Sequence, residues 1–283
     1  MKKLLIVGLG EVGSAIYEIA VEARVYEVYG YDIDPSRSVN DIHEIPESVD
    51  YLHICIPFKS LASFINGVSS YTEKFKPKLV IVHSTVAPGT TRAIHDKLGI
   101  QVAYSPIRGK HPNLKKHIRF WTKWVSTLPR GILGEVVKHL KELGLKPKPY
   151  VGSPETLELA KLWETVYRAI MIAAWQELMR IAKSVGADMV GVMEFVGEVH
   201  EVLKDRPIYF PGYIGGHCLI PNTKILQSVF PSKIFEAVIE SNEKRRKELE
   251  EEEEVRLVKE LKRVVLKYVN KEYFRGTELS DSL

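Results

Sequence analysis

Short apolar runs alternate with longer helical or loop stretches along the first half of the chain. Each run is rich in the β-branched and aromatic residues that favour strands, and the runs read LLIVG, VYEVYGYD, YLHICIP, LVIVHS and VAYSP. The stretches between them have the length of a crossover connection. This alternation predicts a parallel sheet with helices on both faces. Two further runs, WTKWVSTL and PKPYVG, extend the sheet and end the domain near Gly152.

The pattern changes to a helical period after Gly152. Ser153 is a residue type that caps helix N-termini, and Pro154 suits the first helical position. The helical period continues to about Val185, and residues 169–175 are apolar nearly all round. The pattern predicts one long helix that is buried on several sides.

The rest of the chain also favours helices. A second helix is predicted over residues 188–203, followed by a Gly/Pro-rich loop over 207–221 and by highly charged helices, whose acidic run 250–254 we expect to be a solvated face. The predicted fold class is therefore α/β. It consists of a Rossmann-type doubly wound parallel sheet in residues 1–152 and an all-α domain with a long central helix in residues 153–283.

Composition is that of a globular protein with room for two domains. Hydrophobic residues make up 45% and charged residues 27% of the 283 positions, which is ordinary for such a protein. The 2 cysteines do not make a disulfide framework, so we expect a cytoplasmic protein. Since no apolar stretch approaches the ~20 residues that cross a bilayer, we expect no membrane contact.

The sequence GLGEVG directly follows the first predicted strand and opens a helix, which is the context of a dinucleotide-binding turn. The predicted turn consists of Gly8, Gly10, Glu11, Val12 and Gly13. A pyrophosphate would lie on the helix N-terminus, where unpaired N–H groups favour negative charge. Asp32 follows Gly13 by 19 residues, the spacing at which a carboxylate binds the ribose hydroxyls. Because a carboxylate repels a 2′-phosphate, the pattern favours NAD over NADP.

Three polar residues share one face of the long predicted helix. Lys161, Thr165 and Arg168 are spaced i, i+4 and i+7. A lysine directed into a protein interior can act as a general base or stabilise an oxyanion. The alternative is a lysine paired with Glu158 or Glu164 at the helix surface, and spacing alone leaves both readings open.

The loop PGYIGGHC presents a thiol beside three glycines that permit close approach to a ligand, Gly212, Gly215 and Gly216. Cys218 is a candidate nucleophile if His217 or Lys161 stabilises its thiolate. The alternative is a small residue packed under a turn. Cys55 lies in an apolar strand and is expected to be inert, and no metal site is expected from one Cys beside one His.

Residues 97–134 contain several lysines and arginines but no acidic residue. Such a segment favours an anionic partner, and we expect a small anionic substrate near Arg108 and Lys110. A solvated basic face is the alternative. Interleaved aromatic residues allow a nucleic-acid reading, but this reading rests on the segment alone and we expect no nucleic-acid partner.

Together these residues resemble the UDP-glucose/GDP-mannose dehydrogenase family over about residues 1–245. Besides the glycine turn with Asp32, the motifs that carry the resemblance are ICIP (54–57), STVAPGTT (84–91), SPIR (105–108), ELAKLWETVYR (158–168) and PGYIGGHC (211–218). The resemblance implies a nucleotide-binding domain followed by a helical domain through which we expect a homodimer to form.

In that family NAD oxidises a sugar's primary alcohol to an aldehyde. A cysteine then adds to the aldehyde, a second hydride leaves and water hydrolyses the thioester. The resemblance places Cys218 at the nucleophile and Lys161 at the catalytic lysine, with Thr165 and Asn222 beside them. It adds Pro57, Ser84 and Thr85 to the cofactor site. The substrate-binding residues it implies are Arg108, Lys110, Arg168, Gly215, Gly216 and His217.

The chain departs from the family at residues of the hydrolytic half. Ile107 stands where the family has Glu, Thr165 where it has Asn, and Asn222 where it has Asp, while Pro221 follows the cysteine one position late. Without those carboxylates we expect slow thioester hydrolysis, because general base catalysis typically contributes ~10²–10⁴-fold. The family's third domain is expected to be missing, with charged helices in its place.

Two other functions remain open. One is a β-hydroxyacid dehydrogenase-like enzyme that uses Lys161 and has no need of Cys218. The other is a non-catalytic NAD-binding scaffold or sensor, which the departures favour.

Overall fold

The computed structural model describes residues 1–268, and its backbone divides into two compact units, Met1–Lys161 and Leu162–Leu283. The division falls inside one long helix. Residues 269–283, which the sequence assigns to the all-α domain, lie outside the described residues.

A seven-stranded sheet forms the centre of the first unit. Its strands are β1 (Lys2–Val7), β2 (Tyr26–Tyr31), β3 (Tyr51–Ile54), β4 (Leu79–Val82), β5 (Val102–Tyr104), β6 (Lys123–Leu128) and β7 (Pro147–Pro149). They lie in the order β2-β1-β3-β4-β5-β6-β7. Every neighbouring pair is parallel except β5 and β6.

Helices cover both faces of this sheet, as a doubly wound fold requires. They are α1 (Glu11–Ala23), α2 (Leu61–Phe75), α3 (Thr90–Leu98), α4 (Leu114–Phe120) and α5 (Leu133–Glu142). Because strand side chains alternate between faces, Leu4 and Ile6 pack with α1, α4 and α5, whereas Leu5 and Val7 pack with α2 and α3. The predicted α/β class is thus confirmed, with β6 and β7 running opposite to the parallel strands β1–β5.

Four neighbouring strands end in register at one edge of the sheet. Val7 pairs with Ile54, Ile54 with Val82, and Val82 with Tyr104. We call the edge at which these four residues end their strands the carboxyl edge. Open α/β sheets bind their ligands at this edge.

The second unit is helical within the described residues. The long helix α6 (Pro154–Val185) begins at the predicted proline and contributes most of its length to this unit. The others are α7 (Met189–Leu203), α8 (Leu219–Val229), α9 (Lys233–Glu248) and α10 (Glu252–Val265). Met179, Met193 and Leu261 form a core between α6, α7 and α10.

One expectation for the charged helices is wrong. Glu254 belongs to the acidic run assigned to a solvated face, yet it is buried. Its carboxylate accepts hydrogen bonds from Arg245 and Lys183, each at 2.8 Å. The run is solvated only in part, because α10 directs this carboxylate towards the buried guanidinium of Arg245.

No helix between Met1 and Tyr268 combines the length and the apolar character of a membrane span.

Candidate functional site

The glycine turn after β1 has no room for side chains at two positions. Gly8 has a φ of +87°, and a Cβ there would lie 2.8 Å from the carbonyl carbon of Cys55. A Cβ on Gly13 would lie 1.8 Å from the carbonyl oxygen of Gly8. The turn therefore packs its own backbone closely against the start of α1 and against β3, which requires glycine at both positions.

The same turn opens onto a cavity of about 600 Å³ at the start of α1. Gly10 is the N-cap of α1, and a Cβ at this position would meet open space. Ser14, Arg37 and Lys115 line the cavity together with the turn. The two cations are paired with carboxylates, Arg37 with Asp34 and Lys115 with Glu18. Backbone N–H groups at a helix N-terminus suit the phosphates of a dinucleotide. The residues present therefore fit the predicted cofactor.

Asp32 ties the end of β2 to the glycine turn. The backbone N–H of Leu9 donates to its Oδ2 at 2.6 Å, and that of Asp34 donates to its Oδ1 at 2.9 Å. Each carboxylate oxygen keeps a further lone pair for a ribose hydroxyl. The side chain thus fixes the shape of the turn as well as lying where a ribose would bind.

The remaining predicted cofactor residues follow β3 and β4 at the carboxyl edge. Ser84 is buried, and its hydroxyl donates to the carbonyl of Ile56 at 2.6 Å. Pro57 is exposed and Thr85 is half-buried. The hydrogen bond from Ser84 to Ile56 therefore joins the segment that follows β4 to the segment that follows β3.

Glu158 has a role that sequence reasoning missed. It is buried, and its carboxylate accepts the backbone N–H of Gly89 at 2.6 Å, the N–H of Thr91 at 2.7 Å and the Thr91 hydroxyl at 2.6 Å. Burial raises the pKa of Glu158, against these three bonds, which lower it. The carboxylate considered as a partner for Lys161 therefore caps the start of α3 and holds the PGTT segment.

In the second unit, Cys218 is exposed and is the N-cap of α8. The start of a helix favours negative charge, so its position suits a thiolate. Asn222 lies one turn later, and its backbone N–H donates to the carbonyl of Cys218 at 2.9 Å. Its side-chain amide donates to the hydroxyl of Thr165 at 2.9 Å. Three of the four predicted catalytic residues thus lie together.

Buried polar side chains hold the loop that carries the thiol. Gln176 donates to the carbonyl of Gly212 at 2.7 Å, and Arg245 donates to that of Pro211 at 2.6 Å. The side chain of Asn242 accepts the backbone N–H of Ile214 at 2.7 Å. The sequence does not indicate that Gln176, Arg245 and Asn242 hold this loop, because they lie on helices far from it along the chain.

The predicted substrate-binding residues fall in both units. Gly216 has a φ of +74°, and Gly215 and His217 are exposed beside it. Arg168 has its Nε buried without a hydrogen bond among residues 1–268, and its guanidinium lies 5.8 Å from the centre of the Tyr209 ring. An arginine with a buried and unpaired N–H is suited to an anion.

The basic segment 97–134 is more neutralised than its sequence suggests. Lys115 pairs with Glu18 at 2.7 Å and with Glu22 at 2.8 Å, and Arg119 also pairs with Glu22, at 2.8 Å. Arg108 donates to the carbonyl of Thr122 at 2.6 Å and covers the Trp121 ring. Lys110 is half-buried, and its backbone N–H donates to His117 Nδ1 at 3.0 Å.

A model of the central domain of the UDP-glucose/GDP-mannose dehydrogenase family matches residues 155–244, the segment that contains Thr165, Cys218 and Asn222. This segment of the chain is therefore similar to the central domain of that family. Nucleotide-sugar dehydrogenases of the family use NAD, which is the predicted cofactor.

Individual relatives cover most of the chain. The UDP-N-acetyl-D-mannosamine dehydrogenase of Methanocaldococcus jannaschii is 25% identical over 260 residues, which cover 77% of this chain and 60% of that protein. The structure of UDP-D-ManNAc dehydrogenase from Pyrococcus horikoshii matches with a TM-score of 0.72 at 19% identity, covering 86% of this chain and 68% of that one.

The fold is also shared outside nucleotide-sugar dehydrogenases. The 3-hydroxyisobutyrate dehydrogenase of Mycobacterium tuberculosis matches with a TM-score of 0.63 at 14% identity, covering 87% of this chain and 93% of that one. This likeness concerns the fold alone. The chain spans 60% to 66% of the length of the first curated relatives it matches.

Proposed function

We propose that the protein is an NAD-dependent oxidoreductase that oxidises an alcohol of a nucleotide sugar or of a similar anionic sugar. One observation carries the proposal: the thiol of Cys218 begins a helix on a loop that buried side chains hold, in a chain that also has the dinucleotide turn. A structural cysteine needs neither exposure nor a helix N-terminus, whereas a nucleophile benefits from both.

The first unit holds the cofactor in this proposal. Backbone N–H groups of the turn at Gly10 and the start of α1 bind the pyrophosphate, and Asp32 binds the ribose hydroxyls. Ser84 and Thr85 line the part of the cofactor site that lies at the carboxyl edge. NAD supplies the hydride acceptor for the alcohol carbon.

Lys161 and Cys218 act on the substrate. Lys161 accepts the hydroxyl proton of the alcohol or stabilises the oxyanion that forms. The Cys218 thiolate then forms an S–C bond to the aldehyde carbon, the carbonyl electron pair moves to oxygen, and that oxygen takes a proton. The meeting of these two residues at the cofactor stays a prediction.

The pair Thr165 and Asn222 lacks a base. Thr165 donates its hydroxyl proton to the carbonyl of Leu162 at 2.8 Å and accepts from the Asn222 amide. A neutral amide cannot deprotonate water, so hydrolysis of a thioester on Cys218 is slow in this proposal. Aldehyde that is released before the second hydride transfer is then the main product.

The relatives indicate where to look for the substrate, since their names state UDP-N-acetyl-D-mannosamine and UDP-glucose. We propose that Arg168, with Arg108, Lys110 and His217, binds the anionic part, and that the helical unit forms a homodimer.

The test is NADH formation with a panel of nucleotide sugars and phosphorylated alcohols. The wild type should form NADH with at least one of them, and Cys218→Ala should abolish any acid product while aldehyde still forms. If Cys218→Ser has no effect on any product, the β-hydroxyacid dehydrogenase-like function is favoured. NAD binding by calorimetry with no NADH from any substrate would favour the scaffold.

A further inference from the structure

A continuous line of polar side chains crosses the interior of the first unit. We call it the histidine line, and its members in spatial order are Lys123, His83, His53, His139, Tyr26 and Glu142. The first five are buried, whereas the Glu142 side chain is 36% exposed. A buried lysine is thus joined through other titratable groups to a carboxylate that solvent reaches.

Contacts along the line are within hydrogen-bond distance. Lys123 Nζ lies 3.2 Å from His83 Nδ1, and His83 Nε2 lies 3.1 Å from His53 Nδ1. His53 Nε2 lies 2.8 Å from His139 Nε2, and His139 Nδ1 lies 2.9 Å from the Tyr26 hydroxyl. The same hydroxyl is hydrogen-bonded to Glu142.

The topology of the sheet sets the direction of the line. His83 directly follows β4, and Lys123 begins β6, which runs antiparallel to β5, so both lie at the carboxyl edge. Tyr26 begins β2 and therefore lies at the opposite edge. The line connects the edge at which open α/β sheets bind their ligands to the far surface.

The Lys123 end fixes one direction of hydrogen bonding. The carbonyl of Ser105 lies 2.7 Å from His83 Nδ1, and since a carbonyl only accepts, this nitrogen carries the proton. A neutral imidazole has one N–H, so His83 Nε2 must accept from His53 Nδ1. By the same count, His53 Nε2 accepts from His139 Nε2, and His139 Nδ1 accepts from the Tyr26 hydroxyl.

The Glu142 end requires the opposite direction. An ionised carboxylate only accepts, so Tyr26 has to donate its single proton to Glu142. His139 Nδ1 would then have to donate to Tyr26, which reverses every bond as far as His83. Neutral imidazoles cannot satisfy both ends at once.

One proton on Lys123 resolves this conflict. As an ammonium, Lys123 donates to the carbonyls of Ser105 and Pro106 and has a third N–H for His83 Nδ1. His83 can then carry its proton on Nε2, and all bonds run towards Glu142. In this second arrangement His83 Nδ1 gives up its bond to the Ser105 carbonyl, which accepts from Lys123 instead. The line therefore has two arrangements, which differ in the direction of every bond between Lys123 and Glu142.

We propose that the histidine line is a proton relay that exchanges one proton between Lys123 and solvent at Glu142. A proton that arrives on Glu142 passes to the Tyr26 oxygen, whose own proton passes to His139 Nδ1. The Nε2 proton of His139 then passes to His53 Nε2, and the Nδ1 proton of His53 to His83 Nε2. The Nδ1 proton of His83 finally passes to the lone pair of Lys123 Nζ.

Each transfer breaks one N–H or O–H bond and forms another, so the relay gains no charge besides the one delivered. Glu142 ends ionised, Lys123 ends as an ammonium, and all three imidazoles stay neutral but exchange tautomer. The reverse sequence returns the proton to solvent.

The electrostatics of the interior agree with neutral imidazoles. Burial holds the pKa values of His53 and His83 well below their usual range, and it lowers the pKa of His139 to about 3. Burial also lowers the pKa of Lys123, so that the amine exchanges its proton more readily than a surface lysine does.

Other charged and titratable groups face the two ends. The Tyr51 ring stacks on His139 at 4.0 Å, and its hydroxyl contacts Lys2 and Glu135. The groups that act on Lys123 are Cys55, Lys161 and Arg108. The positive charges of Lys161 and Arg108 disfavour the ammonium form of Lys123. Within the described residues no group of three His, Cys, Asp or Glu side chains can hold a metal ion.

The use of the relay rests on the proposed function. Oxidation of an alcohol releases a proton at a site from which water is excluded. When positive charge develops at the carboxyl edge, Lys123 can pass its proton along the line to solvent. A closed site can thereby lose a proton without opening.

The test is a pH titration of ¹⁵N-histidine-labelled protein by NMR, which needs no substrate and therefore stands apart from the proposed function. Bare and protonated ring nitrogens are distinguished by their shifts. The three imidazoles of the histidine line should exchange tautomer together, with one shared midpoint and without becoming imidazolium.

Tyr26→Phe removes the hydroxyl that joins His139 to Glu142 and should lower the midpoint by about one pH unit or more, since His139 then lacks an acceptor. Tyr29→Phe is the matched control. Tyr29 lies on the same strand, and its hydroxyl also donates to a carboxylate, that of Glu27, outside the line. The midpoint of tautomer exchange in the Tyr29→Phe variant should equal that of the wild type.

If Tyr26→Phe does not fold, Glu142→Gln at the exposed end should lower the midpoint in the same direction. Imidazoles that titrate one by one would overturn the relay. Tautomers that stay fixed while the protein remains folded would overturn it as well, and so would equal effects of Tyr26→Phe and Tyr29→Phe. With a substrate in hand, the pH profile of single-turnover NADH formation should share the midpoint and move with it in Tyr26→Phe.

Discussion

The side-chain amide of Asn222 donates a hydrogen bond to the hydroxyl of Thr165 at 2.9 Å, one helical turn after Cys218. A neutral pair therefore occupies the place beside the thiol where the family resemblance implies Asn and Asp. The two substitutions occur at residues that touch each other, so they are best understood as one change of the site.

Asn222→Asp should restore a base beside the thiol. We expect the conversion of aldehyde to acid to rise by about 10²-fold, since a positioned general base typically contributes ~10²–10⁴-fold. The measurement is the number of NADH molecules formed per substrate, which should move from one towards two. Asn222→Ala is the control, because it removes the amide without adding a carboxylate. Equal NADH yields in the two variants would contradict this assignment.

The two cysteines should differ sharply in reactivity. Burial raises the pKa of Cys55 to about 12, whereas Cys218 is exposed at a helix N-terminus. We expect iodoacetamide to modify Cys218 at least about 10²-fold faster than Cys55 near neutral pH, because the thiolate is the reacting form. Peptide mass spectrometry after timed labelling measures both rates. Comparable rates would show that Cys218 is not presented as a nucleophile.

The glycine turn separates a packing role from a binding role. Gly13→Ala should destabilise the protein by roughly 1–3 kcal/mol, because its Cβ overlaps the carbonyl oxygen of Gly8. Gly10→Ala has open space for its Cβ, so it should fold normally and bind NAD more weakly. Urea unfolding and calorimetry with NAD measure the two effects. A Gly10→Ala variant with unchanged NAD affinity would argue against a pyrophosphate at this turn.

Stability should fall as the pH falls below the ordinary pKa of histidine. The pKa values of the three imidazoles of the histidine line are depressed in the folded state, that of His139 to about 3, whereas an unfolded imidazole titrates near ~6.5. The stability that their neutral forms contribute is therefore fully present above ~pH 6.5 and is lost as the pH falls towards the folded-state values. We expect a loss of about 1.4 kcal/mol per pH unit for each imidazole that stays neutral.

Urea unfolding between about pH 7 and about pH 5 measures this slope. His139→Phe should reduce the slope of the unfolding free energy against pH by the contribution of one imidazole. His43→Gln, at an exposed position, should leave this slope unchanged. A slope in His139→Phe equal to that of the wild type would mean that His139 does not stay neutral.

The sequence predicted the local features of the fold well, because they depend on short-range patterns. Strand runs, the glycine turn and the start of α6 at Pro154 all depend on period and on residue type within a few positions. Asp32 was found for the same reason, since its distance from Gly13 is set by one crossover unit.

Long-range polar contacts escaped prediction. The basic segment 97–134 predicts a surface position for Lys123, yet Lys123 is buried against the carbonyls of Ser105 and Pro106. Nothing in the residues around His53 or His139 indicates that they bond to each other across 86 positions. Helical spacing offers Glu158 as a helix-surface partner for Lys161, but its carboxylate binds the start of α3. Such partners are set by packing between elements, which periodicity does not encode.

The most direct test compares the wild type with Lys161→Met in a single turnover with NAD and a nucleotide sugar, either UDP-N-acetyl-D-mannosamine or UDP-glucose. We expect NADH to form in the wild type and its rate of formation to fall by ~10²–10⁴-fold in the variant, while the NAD affinity stays the same. A wild type that binds NAD tightly but yields no NADH with any nucleotide sugar, or a variant as fast as the wild type, would contradict the oxidoreductase assigned here.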